Sequence, residues 1–323
     1  MIILNLVYLK IITKVNLNKR WTILKKILLV FCLCSIFFSC ASQNSAEKIK
    51  IAIFQSVQHP TLDLIKDNIT VNVKNEHPEY FIKEFNSQGD IATGISIAHQ
   101  INNGRFDIVI AIATPSAQIA AKHIKNIPIV FSSVAYPIAA GIVDNLEKPG
   151  NNITGVSNMI DTKMQFEFIK KVNPSLKNIG VIYNTSEVNS QIFLSNFEKE
   201  SADFSINVIT SGVVSSNEVY EAALSLISKV DAVLMILDNT VAASFTSLLN
   251  VCKKFDKPLY VLDKTYVDLG ADAGLSIDYN YLSLLTYEIA IQILKGTPAS
   301  NIPVKTIDKY EIYFNRANRG NQG

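Results

Sequence analysis

The chain has 323 residues, 48% of them hydrophobic and 18% charged, a globular composition with length enough for two domains, which sets disorder aside. Six of its 30 basic residues (Lys10, Lys14, Lys19, Arg20, Lys25 and Lys26) fall in the first 39 positions, which hold no acid; the remainder has 24 basic against 28 acidic residues, a net of about −4. Such a body lacks the basic face that neutralises phosphates, so nucleic acid is not an expected partner.

The first element in chain order is a leader. "NKRWTILKK" is a positive segment, "ILLVFCLCSIFF" an apolar core, and Ser39–Cys40 follows. That core is short for a bilayer of about 30 Å, so residues 1–39 read as an export signal. Ser39–Cys40 resembles the lipobox of bacterial lipoproteins, which implies acylation of Cys40 and a membrane anchor through lipid. Residues 40–48, including the polar run "ASQNSAEK", then read as a tether. Removing Cys32 and Cys34 with the leader leaves Cys252 as the one unmodified thiol, so no internal disulfide and no cysteine-based zinc site is expected.

From Ile49 on, apolar runs rich in Ile and Val alternate with helical patterns. The strands expected are 49–54, 80–85, 108–112, 129–131, 179–183, 206–210, 232–237 and 259–262, apolar on both faces as in parallel sheets covered by helices. Between them lie amphipathic segments such as "DTKMQFEFIKKVNP", whose Met164, Phe168 and Val172 form a core stripe. The class is doubly wound α/β. "EKPGNNITGVSNM" divides two similar series near Gly155, each expected to build its own sheet. "GADAGLSIDYNYLSLLTYEIAIQILKG" adds a short extended piece and a long helix, and "YEIYF" a last apolar run.

Catalytic and cofactor motifs are missing. Gly89 and Gly94 have phosphate-loop spacing, but Ile95 stands where lysine is needed, so the segment reads as a tight turn opening a helix. No dinucleotide fingerprint and no G-x-S-x-G elbow occurs. His59, His77, His99 and His123 are scattered, with no metal-ligand spacing. No cofactor, no metal and no enzymatic activity is expected.

Six strand ends run into "FQSVQHP", "IATPSAQIA", "FSSVAYP", "YNTSEVNS", "LDNTVAAS" and "VLDKTYV". One such turn is a helix cap. Six of them line one edge of parallel sheets, where ligands bind. Helix N-termini favour a carboxylate there, and Asp238 and Asp263 suit an ammonium. A zwitterion held rather than transformed fits this chemistry.

The segments "IATPSAQIAA", "IPIVFSSVAYPIAAGIV", "LEKPGNNITGVS", "IGVIYNTSEVNS", "DAVLMILDNTVAAS" and "GADAGLSIDYNYL" together resemble the substrate-binding proteins of ABC importers, in the family that includes binders of tryptophan and other aromatic amino acids. The resemblance spans Ile49 to Phe314. It implies a type I periplasmic-binding fold, with two Rossmann-like lobes, three crossovers and a ligand cleft between them. Lobe one would hold residues 49–156 plus 279–302, and lobe two 157–278 plus 303–317. It also implies permease and ATPase partners, a monomer, an amino-acid ligand (aromatic, such as tryptophan), and a place at the cell envelope. A sensing module of the same fold, reporting to a membrane partner, is the alternative. By resemblance the cleft is faced by Gln55 and His59; Thr114, Ser116 and Gln118; Ser133 and Tyr136; Asn184, Ser186, Glu187, Asn189 and Ser190; Asp238, Asn239 and Thr240; and Asp263. Ser186 and Asn189 are expected to cap their helix and leave its amides for the ligand carboxylate, with Asp238 or Asp263 taking the ammonium. Three positions depart from the family pattern: Gln58, where an acid is usual; Tyr136, which replaces a common aspartate before Pro137; and Ser283, which replaces a frequent glycine.

Overall fold

The computed structural model describes residues 48–315; the leader, Cys40 and the tether up to position 47 lie outside them. Among the described residues no helix is long and apolar enough to cross a membrane.

Two sheets form the body. The first contains β1 (Lys50–Gln55), β2 (Phe81–Asn86), β3 (Ile108–Ile112), β4 (Ile129–Ser132) and β5 (Ile153–Val156), all parallel, in the order β2-β1-β3-β4-β5. Its connections carry α1 (Pro60–Glu76), α2 (Ile91–Asn103) and α3 (Thr114–His123). The second contains β6 (Asn178–Asn184), β7 (Asn207–Val213), β8 (Ala232–Met235), β9 (Leu259–Val261), β10 (Ala273–Ser276) and β11 (Glu311–Phe314), ordered β11-β10-β9-β8-β6-β7. β11 alone is antiparallel, against β10. Here α4 (Thr162–Val172) leads in, and α5 (Val188–Ser201), α6 (Val219–Ile227), α7 (Asn239–Ala243), α8 (Phe245–Lys254) and α9 (Lys264–Asp268) connect the strands.

Central strands are buried on both faces, as their unbroken apolar runs demand: every residue of β3, β4 and β8 is buried. The edge strands β2 and β7 expose several side chains, and their sequences carry Lys83, Glu84, Asn207 and Thr210. β5 lies within the segment expected to be a divider. Its Gly155 allows close packing on β4, since a Cβ there would stand 2.1 Å from the Phe131 carbonyl oxygen.

The chain passes between the sheets three times: after β5, after β10, and after α10 (Tyr279–Leu294), which packs on α1 and β4 of the first sheet before the chain returns to form β11. Gly89, at φ +79°, makes the turn into α2, which Asp90 caps through the Thr93 amide. All carboxyl ends of β1, β3 and β4 thus face those of β6, β8 and β9 across one cleft.

Candidate functional site

A cavity of about 490 Å³, open solvent at its mouth included, lies in that cleft. One wall comes from the first sheet's junctions, with His59, Thr61, Leu62, Thr114, Ser133 and Ala135. The opposite wall has Asn189, Met235–Asn239, Ala242, Leu262, Asp263 and Tyr266, and the crossover side supplies Asn158 and Tyr279.

The two walls differ electrostatically. On the second-sheet side, carboxylates already occupy the helix starts. Asp238 caps α7 through the Val241 amide (2.8 Å) and also accepts from the Asn184 amide (2.6 Å) and the Ser190 hydroxyl (2.7 Å). Asp263 caps α9 through the Thr265 amide (2.8 Å) and accepts from Thr61 Oγ1 (2.5 Å) across the cleft. Burial, and then Glu187, pushes Asp238 up from the ordinary carboxylate range; burial does the same to Asp263. No lysine or arginine lines the cavity, and no salt bridge among the described residues reaches either aspartate.

The first-sheet wall has the opposite character. α1 and α3 begin there without side-chain caps, each with a proline in the first turn. At α3 the chain turns through Ala113, held at φ 75° and ψ 162°, a conformation otherwise left to glycine. Ser133, at φ 59°, is a second left-handed residue on this wall. First-turn amides there are open to an anion. His59 is buried and neutral: burial pushes its pKa down to about 4, against the pull of Asn239 and Asp63. Its Nδ1 is 3.0 Å from the Tyr266 hydroxyl.

Of the residues expected to face the cleft, seven line this cavity: His59, Thr114, Ser133, Asn189, Asp238, Asn239 and Asp263. The others take different places. Gln118, Asn184, Ser186, Glu187 and Thr240 line a neighbouring, solvent-open space at the β1–β2 side of the cleft. Gln55 spans its own loop, donating to Val57 O (2.8 Å) and Asp63 Oδ1 (2.9 Å). Ser116 is fully buried and donates back to the carbonyls of Ile112 and Ala113. Ser190 holds Asp238. Tyr136 packs against the core that α5 shares, its hydroxyl beside Asn196, and burial lifts its pKa to about 12.

The expected caps of α5 need correcting. Its N-cap is Glu187 with no side-chain capping bond; Ser186 is exposed, and its amide donates to Asn184 Oδ1. Asn189 turns its amide group to Glu187, Ser190 and Leu237 O. The Glu187 carboxylate reaches over instead to the amides and side chains of Asn239 and Thr240, at 2.6–3.2 Å. A buried carboxylate at the mouth of α5 makes that end unsuited to an anion.

Thr61, Asn158, Tyr266 and Tyr279 were not anticipated. Thr61 lies just past the first strand-end turn, Tyr266 stands within the sixth, "VLDKTYV", and Asn158 and Tyr279 arrive through crossovers. The visible signal was the pair of residues flanking each crossover, "VSNM" and "IDYN". Among the described residues, no group of three His, Cys, Asp or Glu side chains is placed to hold a metal.

Residues 50–323 match the family model of the ABC transporter substrate binding protein. A tyrosine-binding protein from Clostridioides difficile is 35% identical over 276 residues, covering 84% of this chain and 80% of that relative. Among solved structures, an ABC domain in complex with L-Trp from Streptococcus pneumoniae is 32% identical with a TM-score of 0.79, covering 83% of this chain and 92% of the other. A ligand-free, open substrate-binding protein with adhesive properties from Clostridium difficile covers the same shares at 35% identity, with a TM-score of 0.62. The higher score of the ligand-bound relative, despite its lower identity, matches a cleft bridged here by Thr61–Asp263 and His59–Tyr266. Two facing lobes, a cavity of opposed polarity and this match over most of the chain place the protein in the family of ABC transporter substrate-binding proteins.

Proposed function

We propose that the protein captures an aromatic amino acid between its lobes and presents it, from the outer side of the membrane, to the permease of an ABC importer. The observation that carries this reading is the polarity of the cavity: buried Asp238 and Asp263 without a basic partner on one wall, uncapped starts of α1 and α3 on the other. An ammonium supplies the missing positive charge, and a carboxylate completes the open helix starts. Leu62, Met235, Leu262, Tyr266 and Tyr279 suit a ring, and the relatives named for tyrosine and L-Trp support the aromatic class. The carboxylate is assigned to the Thr114–Ser133 wall rather than to α5, because Glu187 guards the latter. Residues 49–156 plus 279–302 and residues 157–278 plus 303–317 act as lobes that close by a hinge at the three crossovers. Cys40 carries a lipid that holds the protein at the envelope.

Calorimetric titration with the twenty amino acids tests the ligand class. Aromatic members should bind saturably, and at 100 times Kd should stabilise the fold by about 2.7 kcal/mol. Trp21, the one tryptophan, belongs to the leader, so bound L-tryptophan reports through its own emission. Absence of heat and of thermal shift with tyrosine, tryptophan and phenylalanine alike would overturn the reading. Cys40→Ser should move the protein out of the membrane fraction, and unchanged fractionation would remove the anchor.

A further inference from the structure

Three polar atoms on the cavity wall have no hydrogen-bonding partner among the described residues: His59 Nε2, Asn158 Oδ1 and Asn189 Oδ1. Their side chains are 6%, 4% and 4% exposed, and unpaired polar atoms at such depth weaken a structure unless a ligand meets them.

For Asn189 the neighbours decide which atom is free. Nδ2 donates to Leu237 O (3.0 Å) and Glu187 Oε2 (3.1 Å). A carbonyl oxygen only accepts, so the amide nitrogen must face it and Oδ1 must face the cavity. His59 is the complement. It is neutral, and a phenol hydroxyl such as that of Tyr266 donates readily to imidazole Nδ1, which leaves the proton on Nε2 as a donor into the cavity. Asn239 ties the two together: its side chain comes near enough to His59 to favour the charged imidazole, without closing a hydrogen bond to Nε2, and shares Glu187 Oε2 with Asn189. Donor and acceptor therefore both open on the cavity wall with no side chain among the described residues to meet them.

We propose that His59 and Asn189 together read the polar tip of the ligand's ring, so that the protein prefers tyrosine to tryptophan and tryptophan to phenylalanine. This rests on the aromatic amino-acid reading above. A phenol hydroxyl accepts from Nε2–H and donates to Oδ1. An indole N–H donates but cannot accept, leaving Nε2–H unpaired. A phenyl ring does neither and seals both atoms away from water. Each buried polar atom left unmatched weakens binding by roughly 10- to 100-fold, and sites built around a hydroxyl reject the analogue lacking it more strongly than apolar pockets reject an extra methylene.

Titration of the wild-type protein with L-tyrosine, L-tryptophan and L-phenylalanine decides the matter without a mutation. Kd should rise by at least about 10-fold from tyrosine to tryptophan and again from tryptophan to phenylalanine. His59→Phe, checked for folding by its thermal transition, should bring tyrosine and tryptophan to within about threefold while phenylalanine still binds more weakly. Phenylalanine bound as tightly as tyrosine, or tryptophan bound more tightly, overturns the proposal and leaves the aromatic reading standing. Failure of all three to bind sinks both. Should His59→Phe not fold, the order of the three wild-type affinities is decisive by itself.

Discussion

Asp238 serves two ends at once, and its removal should be felt in both. The carboxylate receives the amides of Asn184 and Val241 and the hydroxyl of Ser190, tying β6, α5 and α7 together. Asp238→Ala leaves those donors buried and unpaired, so a loss of about 2–4 kcal/mol in stability accompanies the loss of ligand binding. Denaturant titration beside calorimetry measures the two effects; full stability with lost binding would mean the network is dispensable. Ser186 marks the contrast. It is exposed and touches the cavity nowhere, so Ser186→Ala should leave Kd within about twofold and stability within about 0.5 kcal/mol.

His59 and Asp238 also set the pH response of the ligand-free protein. The folded chain holds His59 neutral down to about pH 4, whereas the unfolded chain protonates it near 6.5. This group's stabilisation is therefore present above 6.5 and is lost as pH falls through that window, by up to about 3 kcal/mol. Asp238 and Asp263 are both shifted upward by burial, so their contribution is present at low pH and is lost as pH rises beyond the ordinary carboxylate range. The carboxylate and imidazole slopes oppose between about pH 4 and 6.5. Wild-type Tm should therefore fall less steeply with rising pH there than that of His59→Gln, which exposes the carboxylate slope. A Tm for His59→Gln that rises with pH would contradict the buried state of Asp238.

At the scale of elements, the junctions after strands build the site, and their backbone is strained to do so. Ala113 at φ 75° and ψ 162° turns the chain so that α3 opens toward the cavity, and Pro115, lacking an N–H, leaves the Thr114 and Ser116 amides as the open donors of that first turn. Ala113→Gly should relieve the strain and raise stability by about 1 kcal/mol, read as a higher Tm; a lower Tm would mean the buried methyl outweighs the backbone. Much of this layer was legible in sequence. Buried strands announce themselves as runs such as "IVIAI", and Asp90, Asp161, Asp238, Asp263 and Asp278 stand where helices begin. β5 was hidden because a four-residue strand containing Gly155 looks like a divider. The α5 start departs from the expected caps for a physical reason: Glu187 meets the half-buried amides of Asn239 and Thr240 at the start of α7 instead of capping its own helix, a choice that the packing of β6 beside β8 makes available. The side chains that crossovers deliver, Asn158 and Tyr279, stand in "VSNM" and "IDYN", which mark the crossovers but not which side chain turns into the cavity.

For the whole molecule, the question is what keeps the cleft shut. Thr61 Oγ1 to Asp263 and Tyr266 to His59 are side-chain bonds between elements on the two sheets, and both sit at the cavity. One apolar cluster contains residues of both sheets, and each sheet has a further cluster of its own, so opening must part apolar contacts as well as this polar seam. A ligand shifts the balance by its differential affinity for the closed form. Thr61→Val keeps the shape of the side chain but removes the donor, leaving buried Asp263 with Thr265, through its amide and its side chain. That change should favour the open form of the ligand-free protein by about 1–2 kcal/mol, roughly a 5- to 30-fold shift in population. Small-angle scattering would register it as a larger radius of gyration for ligand-free Thr61→Val than for wild type, with both variants converging once ligand is added. Affinity should fall by the same factor, because the ligand must now restore the closed state itself. Equal radii without ligand, together with a full loss of binding, would place Thr61 in direct contact with the ligand rather than in the latch.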